Sequence, residues 1–538
     1  MVGLFWKRGC LMQSWKPQVV PTRREALILK RLKRHRRLFA FLRYRRHELL
    51  DESFQTELVA MYRDSGAGVV PLNPAMMCLV VILQAYVQAS DAEAVELSVM
   101  DARWQMVLDC LGSEKPPFSQ GALQGFRERL IASDMDRRLL ERTVALAKET
   151  REFGWKSLPK SLRLAVDSRP LQGAGRVEDT VNLLGHAARK IAEGAAFLLS
   201  MDYESVCHAA GIPVLVSGSS VKAALDIDWN DAEQKRAGLR TLNGQIESLV
   251  SWVNRRVGEG EIPEVAVARQ IQAQDLEATH DDVVLREGVA PDRRISIEDE
   301  EMRHGRKSKT KRFDGYKEHV ASDLDSRLIV ACAVTPANIP EGEAAESLVQ
   351  DLAQQPVTIR ELHIDRAYIT SELADHAEAG GVEILCKPWR GSAASKQKFS
   401  KSDFKINLRD QTITCPGGVT ESFELGGTVA FSPEDCGPCP LRAWCTHSAT
   451  GRGRSIHIAE DEKRQKELRK LQASVRGRER LRQRTGVEHR LAHIANRKGR
   501  RARYLGTRKN LFDLRRTAAL QNLETIQCKQ QGPAKMAA

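Results

Sequence analysis

Apolar residues recur at helical spacing through most of the first 150 positions. LNPAMMCLVVILQAYV (72–87) is a long apolar stretch opened by an Asn-Pro helix-start signal. SDAEAVELSVMDARWQMVLDCL (90–111) opens on Ser90 with an acid-rich first turn. PPFSQGALQGFRERLIAS (116–133) supplies a Pro-Pro break and a Ser119 cap before another amphipathic segment. These patterns predict an all-helical N-terminal region over about 1–150. Such a region suits DNA docking and assembly, or equally a plain helical bundle, because helix-turn-helix spacing is degenerate. The period changes at residue 162, where LRLAVDSRPLQGAG (162–175) predicts a short apolar strand ending at Asp167 and a Gly-rich loop. About 180–290 reads as helix again.

Strand patterns return in YKEHVASDL (316–324) and in SRLIVACAVTP (326–336), the second β-branched and nearly continuous as a buried strand should be. A helix (341–355), a strand (359–365), a helix (371–380) and a strand (382–388) follow. That run implies parallel βαβ pairing, whereas 316–336 reads as an antiparallel hairpin. The expected core is therefore a mixed α/β sheet with helices on its faces. A Gly-, Ser- and Cys-rich segment (390–452) interrupts it, and from about 455 the chain reads as one or two long basic helices. No repeat of 20–50 residues is present.

Charge sharpens this picture. The 538 residues carry a formal net charge of +13, yet residues 1–48 hold 14 Lys/Arg against 2 acids and residues 451–509 hold 20 against 6. The body between them is mildly acidic. Segregated basic blocks are what a polyanion partner selects, since each neutralised phosphate releases a counterion; solvated basic helices are the plainer reading. An anionic membrane surface fits less well, because neither block sets a bulky aromatic face opposite its charges. No apolar run is long enough to span a membrane and the first residues lack the pattern of a secretory signal, so a cytoplasmic, nucleoid-associated location is expected. Eleven cysteines, an odd number in a long chain, fit a reducing compartment.

Two aspartates close predicted strands, Asp167 after LRLAV and Asp365 after IRELHI, where the backbone of an α/β core is rigid and side chains face a crevice. Turn-forming aspartates at strand ends are common too. A third acid, Glu488, stands in a basic helix; on a helical wheel it extends the face of Val487, Leu491 and Ile494, with Arg484 four residues before it. An inward carboxylate must be paired, protonated or metal-bound, and an i,i+4 pair with Arg484 is the simpler use. Three hard oxygen ligands suit Mg²⁺ or Mn²⁺ rather than zinc, and two such ions can drive phosphodiester chemistry.

With these pieces the chain resembles insertion-sequence transposases of the DDE class, which have a ribonuclease-H-like catalytic core. The resemblance runs from about residue 40 to 525. It rests on SDAEAVELSVMDARWQMVL with FSQGALQGFRERL, on AVDSRPLQGAG and RHGRKSKTKRFDGYKEHVASDLDSRLIVACAVTPAN (303–338), and on LHIDRAYIT and RTGVEHRLAHI. It implies a five-stranded mixed sheet, and convergence of Asp167, Asp365 and Glu488 on the metals. It implies a phosphate-binding role for Arg484, and DNA as partner: transposon terminal repeats and target, paired by a homodimer or higher assembly. The expected activity is metal-dependent cleavage of transposon ends and strand transfer. Two other classes stay open: a non-catalytic DNA-binding relative, and a nuclease without joining activity. Relatives often carry Tyr-x2-Arg-x3-Glu-x6-Lys at the third acid; here Leu481 replaces the Tyr and Ala495 the Lys, leaving Arg497 or Lys498 to supply that charge.

The expected layout is a helical domain (1–150), a first core segment (160–390) with a helical insertion (about 180–290), a Cys-rich insertion (390–452) and a basic C-terminal core segment (455–525) bearing Glu488. Cys415, Cys436, Cys439 and Cys445 have one tight C-x2-C pair and can make a closed tetrahedral zinc site; reduced thiols or a redox role are the alternatives. The candidate DNA contacts are Arg306, Lys307, Lys309, Lys311, Tyr316 and Lys317 around the basic run 303–312, with Lys498, Arg500, Arg501 and Arg503. Asp226 and Asp228 form a rival carboxylate pair, but Asn230 and Asp231 before a helical pattern favour capping. His489 and His493 fall opposite Glu488, facing solvent or DNA. Trp389 and Trp444 read first as core packing, with base stacking as the alternative.

Overall fold

The computed structural model describes residues 4–7, 10–33, 37–62, 71–149, 161–278, 283–308, 310–355, 357–389, 398–448 and 451–530. Lys309 lies outside them. The central sheet has six strands: β1 (Ser161–Gln172), β2 (Arg303–Arg306), β3 (Arg312–Asp323), β4 (Ile329–Pro336), β5 (Thr358–His363) and β6 (Glu383–Leu385). Five of them run in the order β6-β5-β1-β3-β4, and β2 extends the edge beside the first residues of β3. Pairing is parallel for β6-β5 and β5-β1 and antiparallel for β1-β3 and β3-β4. The mixed sheet expected from the sequence is thus present, with the short edge strand β2 as a sixth beyond the five expected.

One strand differs from expectation. β1 does not stop at Asp167 but continues to Gln172, because 167–172 pair with 315–320 of β3. Gly315 permits this: at φ +146°, an added Cβ would stand 2.3 Å from the backbone of Leu171 and Gly173. The parallel ladder with β5 does end early, at Ala165 opposite His363. Asp167 and Asp365 are each two residues beyond that pair. Register alone brings them side by side, on strands spaced about 4.8 Å apart.

The helices that matter for the site are α1 (Arg37–Leu49), α2 (Pro74–Val87), α3 (Gln120–Ala132), α4 (Met135–Glu149), α5 (Thr180–Leu199), α6 (Ala232–Arg256), α7 (Glu264–Asp275), α8 (Ala345–Ala353), α9 (Glu372–Ala379), α10 (Glu462–Ala473), α11 (Val475–Arg482), α12 (Thr485–Lys498) and α13 (Thr507–Gln530). Helices α1 to α4 do not build a core of their own. Phe39, Leu79, Trp104 and Leu146 share one continuous apolar cluster with Leu164, Val330 and Leu348 and with Phe512, Leu520 and Leu523 of α13. Charges seal the same junction: Arg515 of α13 reaches Asp134 and Asp136 at the start of α4 and Asp351 of α8. Helix α2, apolar on all sides, is consequently buried. Among the described residues no single helix is long and apolar enough to cross a membrane.

The helical insertion does have its own core, in which Leu184, Ala188 and Ile191 of α5 meet Leu242, Ile246 and Leu249 of α6 and Ile271 of α7. The Cys-rich module has a small one, formed by Phe404, Ile413, Phe423, Phe431 and Ile456. Its strand Ser455–His457 pairs with Thr428–Ala430, which carries the module past the expected boundary at 452. The basic C-terminal region is four helices, not one or two. Ser474 caps α11, Arg484 separates α11 from α12, and Gly499 at φ +79° ends α12.

Candidate active site

Asp167 is held on β1, with one carboxylate oxygen accepting from the Ser168 backbone N–H at 2.9 Å. Asp365 caps the one-turn 3₁₀ helix Arg366–Tyr368 and accepts from Arg366 N–H at 2.7 Å. Glu488 sits in the first turn of α12, where a helix N-terminus favours negative charge. Val487, Leu491 and Ile494 pack this helix onto the sheet against Ala165, Val320 and Ile329. Glu488 does not share that buried face. Its side chain is 48% exposed, at the border of the apolar stripe and turned into a pocket.

Arg484 ties the acids together. Its guanidinium lies 2.9 Å from Asp167 and 2.9 Å from Glu488, the second contact being the i,i+4 pair the sequence allowed. Burial works against the arginine's charge, but Asp167, Asp365 and Glu488 outweigh it and hold the proton more tightly than usual. Burial pushes the Asp167 carboxyl up to about 6; repulsion from Glu488 and Asp365 adds to the rise, and Arg484 opposes it. The pocket, of about 280 Å³, is lined by Asp365, Lys387, Arg478, Leu481, Arg482, Arg484, Thr485 and Glu488 among others. A crowd of carboxylates with one raised titration, set among cations, can hold divalent metal and a phosphate.

The donor chemistry fits such a metal: three hard oxygens, with mutual repulsion that a cation would relieve. The side chains do not form a closed ligand set, for among the described residues no group of three or more His, Cys, Asp or Glu is close enough to hold an ion. Arg484 stands between the acids in the position of a counter-cation.

The other expected residues separate into accessible and committed groups. Arg306, Lys307 and Lys311 are exposed at the tip of the β2-β3 hairpin. Arg500, Arg501 and Arg503 are exposed along a segment that the backbone of Gln172 grips through Arg500 and Ala502. Lys317 is half-buried and donates to the Ile339 carbonyl at 2.6 Å. Tyr316 is fully buried and donates to Asp299. Lys498 is also interior, 2.6 Å from both Glu318 and Asp513, so its charge is spent inside the fold. Tyr316 and Lys498 are therefore corrected from DNA contacts to internal partners. Nor does Arg497 replace the missing lysine, since it is paired to Glu524.

Lys387, Arg478 and Arg482 went unnoticed in the sequence and supply cations to the pocket. Lys387 follows β6 as Asp365 follows β5, and that strand-end position was the available signal. Asp231 caps α6, and Asp228 accepts from Asn230 N–H, as capping predicted. Trp389 and Trp444 are 48% and 64% exposed, overturning core packing. His489 and His493 are exposed, on the side away from Glu488.

Cys415, Cys436, Cys439 and Cys445 line one cavity of about 30 Å³. A Cβ on Gly417 would stand 3.2 Å from the Cys439 sulfur and 3.6 Å from that of Cys415, so the missing side chain keeps a space between two thiols. They too fall short of a closed metal set.

Residues 421–527 match the model of a family described as a transposase DDE domain. The matched segment contains Arg484, Glu488 and three of the four clustered cysteines; Asp167 and Asp365 lie outside it. No curated protein matches the chain. No solved structure matches it either.

Proposed function

We propose that the chain, whose residues 421–527 match a transposase DDE domain, is a transposase of the DDE class that cleaves DNA at transposon ends and joins the freed 3′-hydroxyl to target DNA. In this reading the mixed sheet is ribonuclease-H-like, residues 1–150 dock transposon ends or mediate assembly, and at least two copies act together to pair two ends. The observation that carries it is the grouping of Asp365, Arg484 and Glu488 in one cationic pocket, with Asp167 bound to the same arginine.

Asp167, Asp365 and Glu488 would hold Mg²⁺ or Mn²⁺, which supplies activation of water or a 3′-hydroxyl and offsets charge on the phosphate oxygens. Arg484 neutralises the acids in the free protein and is placed to meet the scissile phosphate once they are otherwise compensated. Lys387 and Arg482 add positive charge at the mouth of the pocket, where the strand enters. Arg306, Lys307 and Lys311 track the backbone farther out, as do Arg500, Arg501 and Arg503. The four cysteines are read as a structural zinc site that stiffens the module between β6 and α10.

The test is a nicking assay on labelled DNA carrying the sequences that flank the gene, in Mn²⁺, comparing the natural protein with Glu488→Gln. Nicks at the ends that vanish in the variant are expected, and strand-transfer products should follow from the natural protein alone. DNA binding without nicking by either folded protein would replace this reading with that of a non-catalytic DNA-binding protein.

A further inference from the structure

Helix α12 has a second polar side. Opposite the acid pocket lies a cleft of about 510 Å³, walled by the end of β3 (Ser322, Asp323), by Arg327 of the turn that follows, by Arg163 of β1, and by His489, Arg490 and His493 of α12. Thr485, in the first turn of α12, lines this cleft and the acid pocket alike. The two are neighbours across one helix end.

The cleft holds cations that the fold does not neutralise. Arg163 is satisfied by Glu361 and Asp325. Asp323 is also committed, accepting from the backbone N–H groups of Arg163 and Ser326. Asp325 takes Arg163 and Arg360. Arg327 and Arg490, by contrast, have no ion pair among the described residues, although each carboxylate beside them is occupied. Arg490 is half-buried and lines the same cleft as Arg327. Arg327 stands at the tip of the turn at φ +65°, a left-handed conformation that a non-glycine residue adopts at a cost. Two like charges held together at a cost, one of them part-desolvated, are stabilised by an anion placed between them.

We propose that Arg327 and Arg490 grip the phosphodiester backbone of the DNA strand that leaves the acid pocket over Thr485. The inference rests on the transposase reading above and adds to it a second contact point, which fixes the direction in which that strand runs across α12. His489 and His493 border the same path with donors for further phosphates. Arginine suits the task because its planar fork meets two phosphate oxygens at once.

The test uses the full chain and a fluorescein-labelled duplex of about 40 base pairs that includes the gene's flank, with anisotropy read over a salt series. In R327Q/R490Q the slope of log affinity against log salt should fall by about 1–2, and its affinity and that of the natural protein should converge about tenfold between roughly 50 and 200 mM salt. R327K/R490K should restore most of the slope. A matched pair on the far end of α6, R255Q/R256Q, should leave it unchanged; both arginines are exposed there. Melting curves confirm that each variant is folded. An unchanged slope in R327Q/R490Q, or an equal loss in R255Q/R256Q, overturns the proposal. If that happens while Glu488→Gln still abolishes nicking, the transposase reading stands and only the strand path falls. If the natural protein binds no duplex, both fall together.

Discussion

Replacing Lys498 by methionine separates two physical roles for one residue. Sequence pattern places this lysine in a basic run, where it would contact phosphate. The fold places it at the buried end of α12, 2.6 Å from Glu318 and 2.6 Å from Asp513, with all three side chains 4% exposed or less. Burial lowers the lysine's proton affinity, but the two carboxylates more than reverse this, so it stays charged. Removing one member of a buried ion pair costs about 3–5 kcal/mol. Glu318 retains Arg169 and Asp513 retains Arg516, which sets the cost near the lower end, at about 3 kcal/mol. A chain with several cores need not unfold in one step, so the local measurement is hydrogen exchange of peptides covering 485–498. Exchange there should quicken by about two orders of magnitude, at 1.36 kcal/mol per tenfold. The salt slope of DNA binding should not change. Unaltered exchange together with a slope reduced by about 0.9 would refute the reasoning, since that is the signature of one lost phosphate contact.

Other consequences can be measured directly. His319 is fully buried between Tyr368 and Thr335, and burial depresses its titration to about 3. The unfolded chain takes up that proton near the ordinary value of 6.5, so stability from this group is present above 6.5 and lost as pH falls towards 3. The unfolding free energy read from urea titrations should drop at up to about 1.4 kcal/mol per pH unit in that window, and His319→Gln should flatten the dependence; a level profile in the natural protein from 6.5 to 4.5 would sink the argument. The reduced protein should carry about one zinc per chain by elemental analysis, lost in Cys436→Ser/Cys439→Ser, whereas metal-free natural protein would mean plain thiols. Leu491→Ala removes a 5% exposed side chain that fixes α12 to the sheet, and should cost about 2–4 kcal/mol with parallel loss of nicking; nicking at full rate would show that the helix is held by other contacts.

Much of the sheet was legible because its signals are local. The βαβ rhythm of residues 341–388 and the hairpin at 316–336 are written in hydrophobic period, and they returned as parallel and antiparallel pairs. The length of β1 was not legible, because it depends on Gly315 of a strand some 150 residues away. The i,i+4 pair of Glu488 with Arg484, the simpler of the two uses the sequence offered, is present, but the wheel position misled: a residue at the border of an apolar stripe can turn outward, and this one does. Lys498 failed for the complementary reason. A charged side chain at a helix end reads as exposed unless Glu318, distant in sequence, and Asp513 of the next helix are known to converge on it. Arg482 is one charge among many in a basic run, and the strand-end position of Lys387 gains meaning only once strand order sets it beside Asp365.

The site depends on how α12 is anchored. At its start, Arg484 binds Asp167 of β1. At its end, Lys498 binds Glu318 of β3, and Arg169 of β1 pairs with the same glutamate and donates to the Gly499 carbonyl. Asp167 and Arg169 are two residues apart, so they fall on one face of β1. Both ends of the helix are thereby fixed to a single strand, and the face of Val487, Leu491 and Ile494 between them supplies the packing. On the proposed reading the acids would exchange Arg484 for a metal ion by moving side chains, while the backbone positions of Glu488, Asp167 and Asp365 stay set by the sheet and the anchored helix. With the Arg484 guanidinium paired to Asp167 and Glu488, this frame offsets the repulsion of the acids while no metal is bound, and on the proposed reading it would present the three carboxylates to one.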